Sequence, residues 1–72
     1  MNTPPEKITP ATRKVLEELV VAGDSDKEIA ERLICTTHTV KMHMWNARQV
    51  SGARNRTELA LWWIRKGRYE YS

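Results

Sequence analysis

Helix punctuation is the feature of this sequence that most narrows what it can fold into. Thr9-Pro10, Ser25-Asp26-Lys27-Glu28, Thr36 and Asn55-Arg56-Thr57-Glu58 each place a side-chain oxygen where it can accept from the open backbone N–H groups of a helix start. Pro10 suits a first helical position, whose N–H has no partner within the helix anyway. Gly23 and Gly52 stand at two helix ends, where left-handed backbone costs a glycine least, and Gly67 marks a third. Between these marks apolar residues recur with helical period: Val15, Leu16, Leu19 and Val20, then Ile29, Ala30 and Leu33, then Val40, Met44 and Ala47 with His43 and Val50 at the edge, and finally Leu59, Ala60, Trp63 and Ile64. The expected fold class is all-α, a four-helix bundle with helices over about 10–22, 26–33, 37–51 and 56–66. Residues 1–8 read as an N-terminal arm, 9–67 as the folded domain and 68–72 as a C-terminal tail.

Length limits what such a bundle can do alone. A domain of 72 residues buries only about 60% of the surface its unfolded chain exposes, so a partner subunit or ligand is expected to complete it. Phe is absent, which leaves Leu, Val, Ile and Trp to fill the core. The single Cys35 allows neither an internal disulfide nor a cysteine-based zinc site, and it suits a reducing, cytoplasmic compartment. The opening MNTPPEKITP lacks the basic-then-apolar order of a signal peptide. The longest apolar run, Leu59 to Ile64, is far short of the roughly 20 residues that span a bilayer. No nucleophile–base pair, carboxylate pair or metal cluster can be assembled, so neither an enzyme nor a cofactor is expected.

Charge is distributed unevenly along the chain. Up to Glu31 there are four bases against seven acids, whereas from Arg32 onward there are eight bases against Glu58 and Glu70 alone. A regional basic excess of this kind suits a polyanion-binding face, although solvated helix faces of uneven charge give the same pattern. The third helix sharpens the choice. Opposite its apolar side it presents His38, Lys41, Met42, Trp45 and Gln49, flanked by Thr37 and Arg48. A face carrying His, Met and Trp in place of Glu and Lys is built for contact rather than for solubility.

Two short helices joined by three or four residues, the second with such a face, make a helix-turn-helix pattern whose second helix enters the major groove of DNA. Ile8-Thr9-Pro10, Val15-Leu16, Ser25-Asp26-Lys27-Glu28-Ile29-Ala30-Glu31-Arg32-Leu33, Thr39-Val40-Lys41-Met42-His43 and Arg54-Asn55-Arg56-Thr57-Glu58-Leu59-Ala60 follow one another in the order and spacing of a known family. In these segments the chain resembles the LuxR/GerE-type helix-turn-helix domain of bacterial regulators, over about Ile8 to Gly67. The resemblance implies a four-helix DNA-binding domain whose third helix reads the major groove and whose fourth often makes the dimer. With only about seven residues ahead of the module, the chain is expected to be a stand-alone member.

Carried onto this sequence, the family's groove-facing positions fall on His38, Lys41, Met42 and Trp45, while Lys27, Thr39 and the caps of the second and third helices, Ser25 and Thr36, match positions near phosphates. Lys41 can meet a phosphate or guanine O6/N7, and Met42 a thymine methyl. Gln49 completes the outward face. Arg48, Arg54 and Arg56, at the junction of the third and fourth helices, are placed to reach backbone phosphates. His43 matches a position where relatives usually carry His, and is read as a packed, hydrogen-bonded residue rather than a metal ligand. Trp45 departs from the polar or basic residue usual there, and stacking on DNA, packing on a protein partner and obstruction of docking all stay open.

Leu61 and Trp62 point away from the expected core face and, with Arg65 and Tyr69, form the expected dimer interface. The alternative is that the tail Arg68-Tyr69-Glu70-Tyr71-Ser72 folds back over Trp62. The partners implied are double-stranded DNA, a second copy through helix 4, and RNA polymerase or another regulator. A protein-interaction module that pairs with another regulator and alters its activity is the competing reading.

Overall fold

A computed structural model describes residues 8–23 and 25–71 of the chain. It comprises helices α1 (Pro10–Ala22), α2 (Asp26–Leu33), α3 (Thr37–Ser51) and α4 (Arg56–Trp62). From α4 the chain passes without a break through a π-helical turn, Trp63–Gly67, into the short helix α5, Arg68–Glu70. There is no strand among the described residues. The fold is an all-α bundle of four helices whose last helix continues through the π turn into α5.

The starts of α1, α2, α3 and α4 are each closed by a capping side chain. Thr9 accepts from the Thr12 N–H at 3.2 Å and Thr36 from the Thr39 N–H at 3.1 Å. At α2 the box is reciprocal: Ser25 Oγ accepts from the Glu28 N–H at 3.3 Å while Glu28 Oε1 accepts from the Ser25 N–H at 3.1 Å. Those Ser25 bonds hold the Glu28 carboxyl below its usual range. At α4 the box is displaced by one residue. Asn55 accepts from the Glu58 N–H at 2.9 Å, but Glu58 reaches back to the Arg54 N–H, also at 2.9 Å.

One core unites the helices. α3 packs on both α1 and α2, and α4 with its continuation packs on α1 and α3. Val15, Leu16, Leu19, Ile29, Ala30, Val40, Met44, Ala47, Leu59 and Trp63 are buried there, and Val20, Leu33, Val50 and Ala60 pack against them half-buried. Ile8 is buried too, so the chain joins the core one residue earlier than the expected arm boundary. The rest of that arm, residues 1–7, lies outside the described residues.

The fourth helix departs most from expectation. Gly67 does not stop it: the residue is buried, keeps right-handed helical backbone (φ −58°), and the chain stays helical to Glu70 instead of becoming a tail at residue 68. A Cβ on Gly67 would come within 2.6 Å of the Trp62 ring and 2.8 Å of the Trp63 ring, so this glycine makes room for two indoles rather than ending a helix. Ile64, expected in the core, is 41% exposed, while Trp62 is half-buried against the core and its ring centre lies 5.9 Å from that of Tyr71. The C-terminal residues thus cover Trp62.

The π turn has a traceable cause. Trp63 is fully buried, and its indole N–H donates to Glu17 Oε2 of α1 at 2.6 Å. Arg68 donates to both oxygens of the same carboxylate, Nε to Oε2 and Nη2 to Oε1, each at 3.0 Å. Trp63 and Arg68 are five residues apart, which in an α-helix leaves them roughly 140° apart around the axis. The i→i+5 pattern of a π turn brings them onto one side, with the Arg68 N–H bonded to the Trp63 carbonyl.

Partial burial opposes ionisation of Glu17, but the bonds from Arg68 and Trp63 and the nearby guanidinium charges outweigh it and lower its pKa below the ordinary 4.5. A lowered folded-state value means that the stabilisation is complete above the ordinary value and is lost as pH falls through the lowered one. Glu17→Gln is expected to cost about 1 kcal/mol at neutral pH, since solvent screens this part-exposed group. The deficit should shrink in thermal unfolding measured from about pH 7 down to about pH 3, and a gap independent of pH would contradict the assignment.

Candidate nucleic-acid interface

The turn between α2 and α3 consists of Ile34, Cys35 and Thr36. It closes α2 with two reverse bonds, Cys35 N–H to the Ala30 carbonyl at 2.9 Å and Ile34 N–H to the Glu31 carbonyl at 3.4 Å. Ile34 therefore occupies the left-handed position (φ 55°, ψ 55°) that glycine or asparagine would fill more easily. Thr36 then caps α3, and its hydroxyl lies 3.0 Å from that of Thr39. Two helices joined by this three-residue turn and packed on one another make a helix-turn-helix unit.

α3 is held at its middle and at its far end. Near its middle, His43 Nδ1 lies 3.0 Å from the buried Thr12 hydroxyl, which is 3.0 Å from that of Thr9, the α1 cap. This relay ties the rotation of α3 to the start of α1 and satisfies the buried Thr12 hydroxyl. At the far end Arg48 Nη2 donates to the Arg54 carbonyl at 2.7 Å and Nε to the Ala53 carbonyl at 3.3 Å. Ser51 Oγ accepts from the Ala53 N–H at 3.0 Å in the same connection.

With Val40, Met44 and Ala47 buried, the outer side of α3 exposes His38, Lys41, Met42, Trp45, Arg48 and Gln49. α3 carries no Asp or Glu anywhere in its length. Lys41, Trp45 and Arg48 also line a cleft of about 320 Å³ whose other side is Asp26 of α2 and Arg56 of α4. Arg56 Nη1 donates to Asp26 at 2.6 Å, tying the starts of α2 and α4 together. Arg54 pairs with Glu58 at 3.2 Å, and the Arg54 backbone and side-chain bonds hold the Glu58 carboxyl below its usual range.

The expected contact residues thus divide. His38, Lys41, Met42, Trp45 and Gln49 share one open face of α3, with Thr37 and Thr39 half-buried at its start, Thr36 exposed at the cap and Lys27 exposed in the first turn of α2. Arg48, Arg54 and Arg56 are exposed as well, yet all three already hold intramolecular partners that shape the α3–α4 connection. On the fourth helix and its continuation Leu61, Arg65 and Tyr69 are exposed, while Trp62 is half-buried beside Tyr71 and Gly67. Ile64 takes its place in the exposed apolar stripe.

Sequence reasoning missed Thr12, although it continues the Val15, Leu16 and Leu19 stripe at helical spacing, and missed Glu17, whose partners lie far away in the chain. Among the described residues no three His, Cys, Asp or Glu side chains gather as a metal site requires, and no helix is long and apolar enough to cross a membrane.

The class this defines is a helix-turn-helix DNA-binding domain. The family model of the bacterial regulatory proteins of the luxR family matches residues 6–63, so the chain belongs to that family, one of DNA-binding transcription regulators. No curated protein and no solved structure matches the chain.

Ile34 is 92% exposed, so replacing it sacrifices no packing. Ile34→Asn is expected to relieve about 1 kcal/mol of left-handed strain and to raise Tm by roughly 5 °C. An unchanged or lower Tm in calorimetry would contradict the strained turn.

Proposed function

We propose that this protein is a sequence-specific regulator of transcription that binds double-stranded DNA as a homodimer, with α3 in the major groove. The observation that carries the reading is the acid-free outer face of α3, held in rotation by the His43–Thr12–Thr9 relay and by its buried inner side. Lys41 is exposed on that face and is the principal base or phosphate contact. His38, Met42, Trp45 and Gln49 contact base edges, while Thr36, Thr37, Thr39 and Lys27 lie at the phosphate-facing starts of α2 and α3. Arg48, Arg54 and Arg56 support the strand backbone from the α3–α4 connection, Arg48 chiefly by bracing that connection.

The second copy meets the first along the fourth helix, through Leu61, Ile64, Arg65 and Tyr69. An isologous pairing there covers exposed apolar side chains and sets two recognition helices about 34 Å apart, one turn of duplex. The domain works in the cytoplasm, where RNA polymerase or another regulator is the further partner. One observation favours a second reading, a protein-interaction module: Trp45 lies on the contact face with 56% of its surface exposed.

Selection of bound duplexes from a random pool, with the complexes sized, separates the two. DNA binding predicts one enriched motif and two chains per duplex, whereas a protein module predicts no enrichment and a stoichiometric protein partner. Lys41→Ala is expected to cost about 1–3 kcal/mol on the selected site, with affinity falling steeply as salt rises. Salt-independent binding would contradict the phosphate contacts. Leu61→Glu is expected to give monomers in sedimentation and to weaken duplex binding, and a wild-type chain that is monomeric at high micromolar concentration would contradict the dimer.

A further inference from the structure

Two exposed large apolar side chains stand side by side on the outer face of α3. Met42 and Trp45 are 54% and 56% exposed, three residues apart and hence on one side of the helix, displaced along its axis by about 4.5 Å. That displacement is close to the roughly 3.4 Å rise between successive base pairs. Lys41 adjoins Met42, and Arg48 lies one turn beyond Trp45. The pair is thus flanked on its Trp45 side by two cations, in the half of the chain that carries eight bases against two acids.

A docking partner must accordingly be polyanionic yet offer an apolar surface between its charges. Duplex DNA meets this description in its major groove at one feature only, the C5-methyl group of thymine. α3 also lacks any carboxylate to accept from the cytosine amino group, which leaves cytosine with fewer partners on this face.

We infer that Met42 and Trp45 are specificity-determining residues that read thymine methyl groups on neighbouring base pairs. The inference rests on α3 entering the major groove. It adds the chemical identity of what the helix recognises there: a guanine or phosphate at Lys41, and thymines beneath the apolar pair.

The test uses the full chain and a duplex enriched from a random pool, with each thymine replaced singly by deoxyuridine, which removes the methyl group and leaves every hydrogen-bonding edge intact. The expected result is a loss of roughly fourfold in affinity at each of two neighbouring positions per half-site, the factor for one buried methyl group, and little change elsewhere. Met42→Ala and Trp45→Ala should each erase the deoxyuridine penalty at one of those positions. Both residues are exposed, so circular dichroism should report an unchanged fold. Equal affinity for the thymine and fully uracil-substituted duplexes would overturn the inference while leaving duplex binding intact. Failure to bind any duplex would overturn the DNA-binding reading and this inference together. Variants that bind DNA normally but lose a protein partner would show that the apolar pair is a protein-docking face.

Discussion

Burial of the Trp63 indole is the constraint on which the rest of the molecule depends. In a chain with no Phe, this is the largest side chain fully removed from water, and its ring carries one N–H that cannot be left unbonded in a core. Glu17 supplies the acceptor from α1. Its charge in turn calls for a cation, and Arg68 provides a bidentate one from the end of the same helix that carries Trp63. Reaching one carboxylate from two positions five residues apart requires the π turn, and packing Trp62 and Trp63 beside that turn requires a glycine at 67. One buried donor therefore accounts for a chain of features along the fourth helix and fixes that helix against α1.

A second polar group inside the core performs a similar service for α3. Thr12 would be costly to bury alone, but between Thr9 and His43 it becomes a link across three points of the bundle. Rotation matters for α3 because a turn of about 100° around its axis, one residue spacing, would replace His38, Lys41, Met42 and Trp45 by their flanking neighbours. Interior hydrogen bonding thus reinforces the orientation that the buried Val40, Met44 and Ala47 already give α3, with its acid-free face turned outward.

The connection between α3 and α4 shows how charge is used locally. Arg48 secures the Ala53 and Arg54 carbonyls, Arg54 engages Glu58, and Arg56 engages Asp26. From sequence these arginines read as a basic loop open to phosphates. In the fold they also supply the bonds that set the loop's shape. Exposed ion pairs of this kind contribute little stability each, so their exchange for phosphate contacts is energetically accessible.

Much of the fold was legible in the residues themselves. Caps at Thr9, Ser25, Thr36 and Asn55 and left-handed glycines at 23 and 52 are local devices, dictated by which backbone groups a helix end leaves unbonded, and they act over three or four residues regardless of what packs nearby. The inner and outer sides of α3 follow from period alone. The fate of the fourth helix did not, because its run from Leu59 to Ile64 is apolar on every side and periodicity cannot choose a face where no polar side exists. Only tertiary contacts resolved it: Glu17 drew in Trp63 and Arg68, Tyr71 covered Trp62, and Ile64 was turned outward. The sequence by itself determined where helices begin and which residues α3 offers. The tertiary structure alone decided how the fourth helix is turned, because that choice rests on hydrogen bonds between residues about fifty positions apart, with no trace in local spacing.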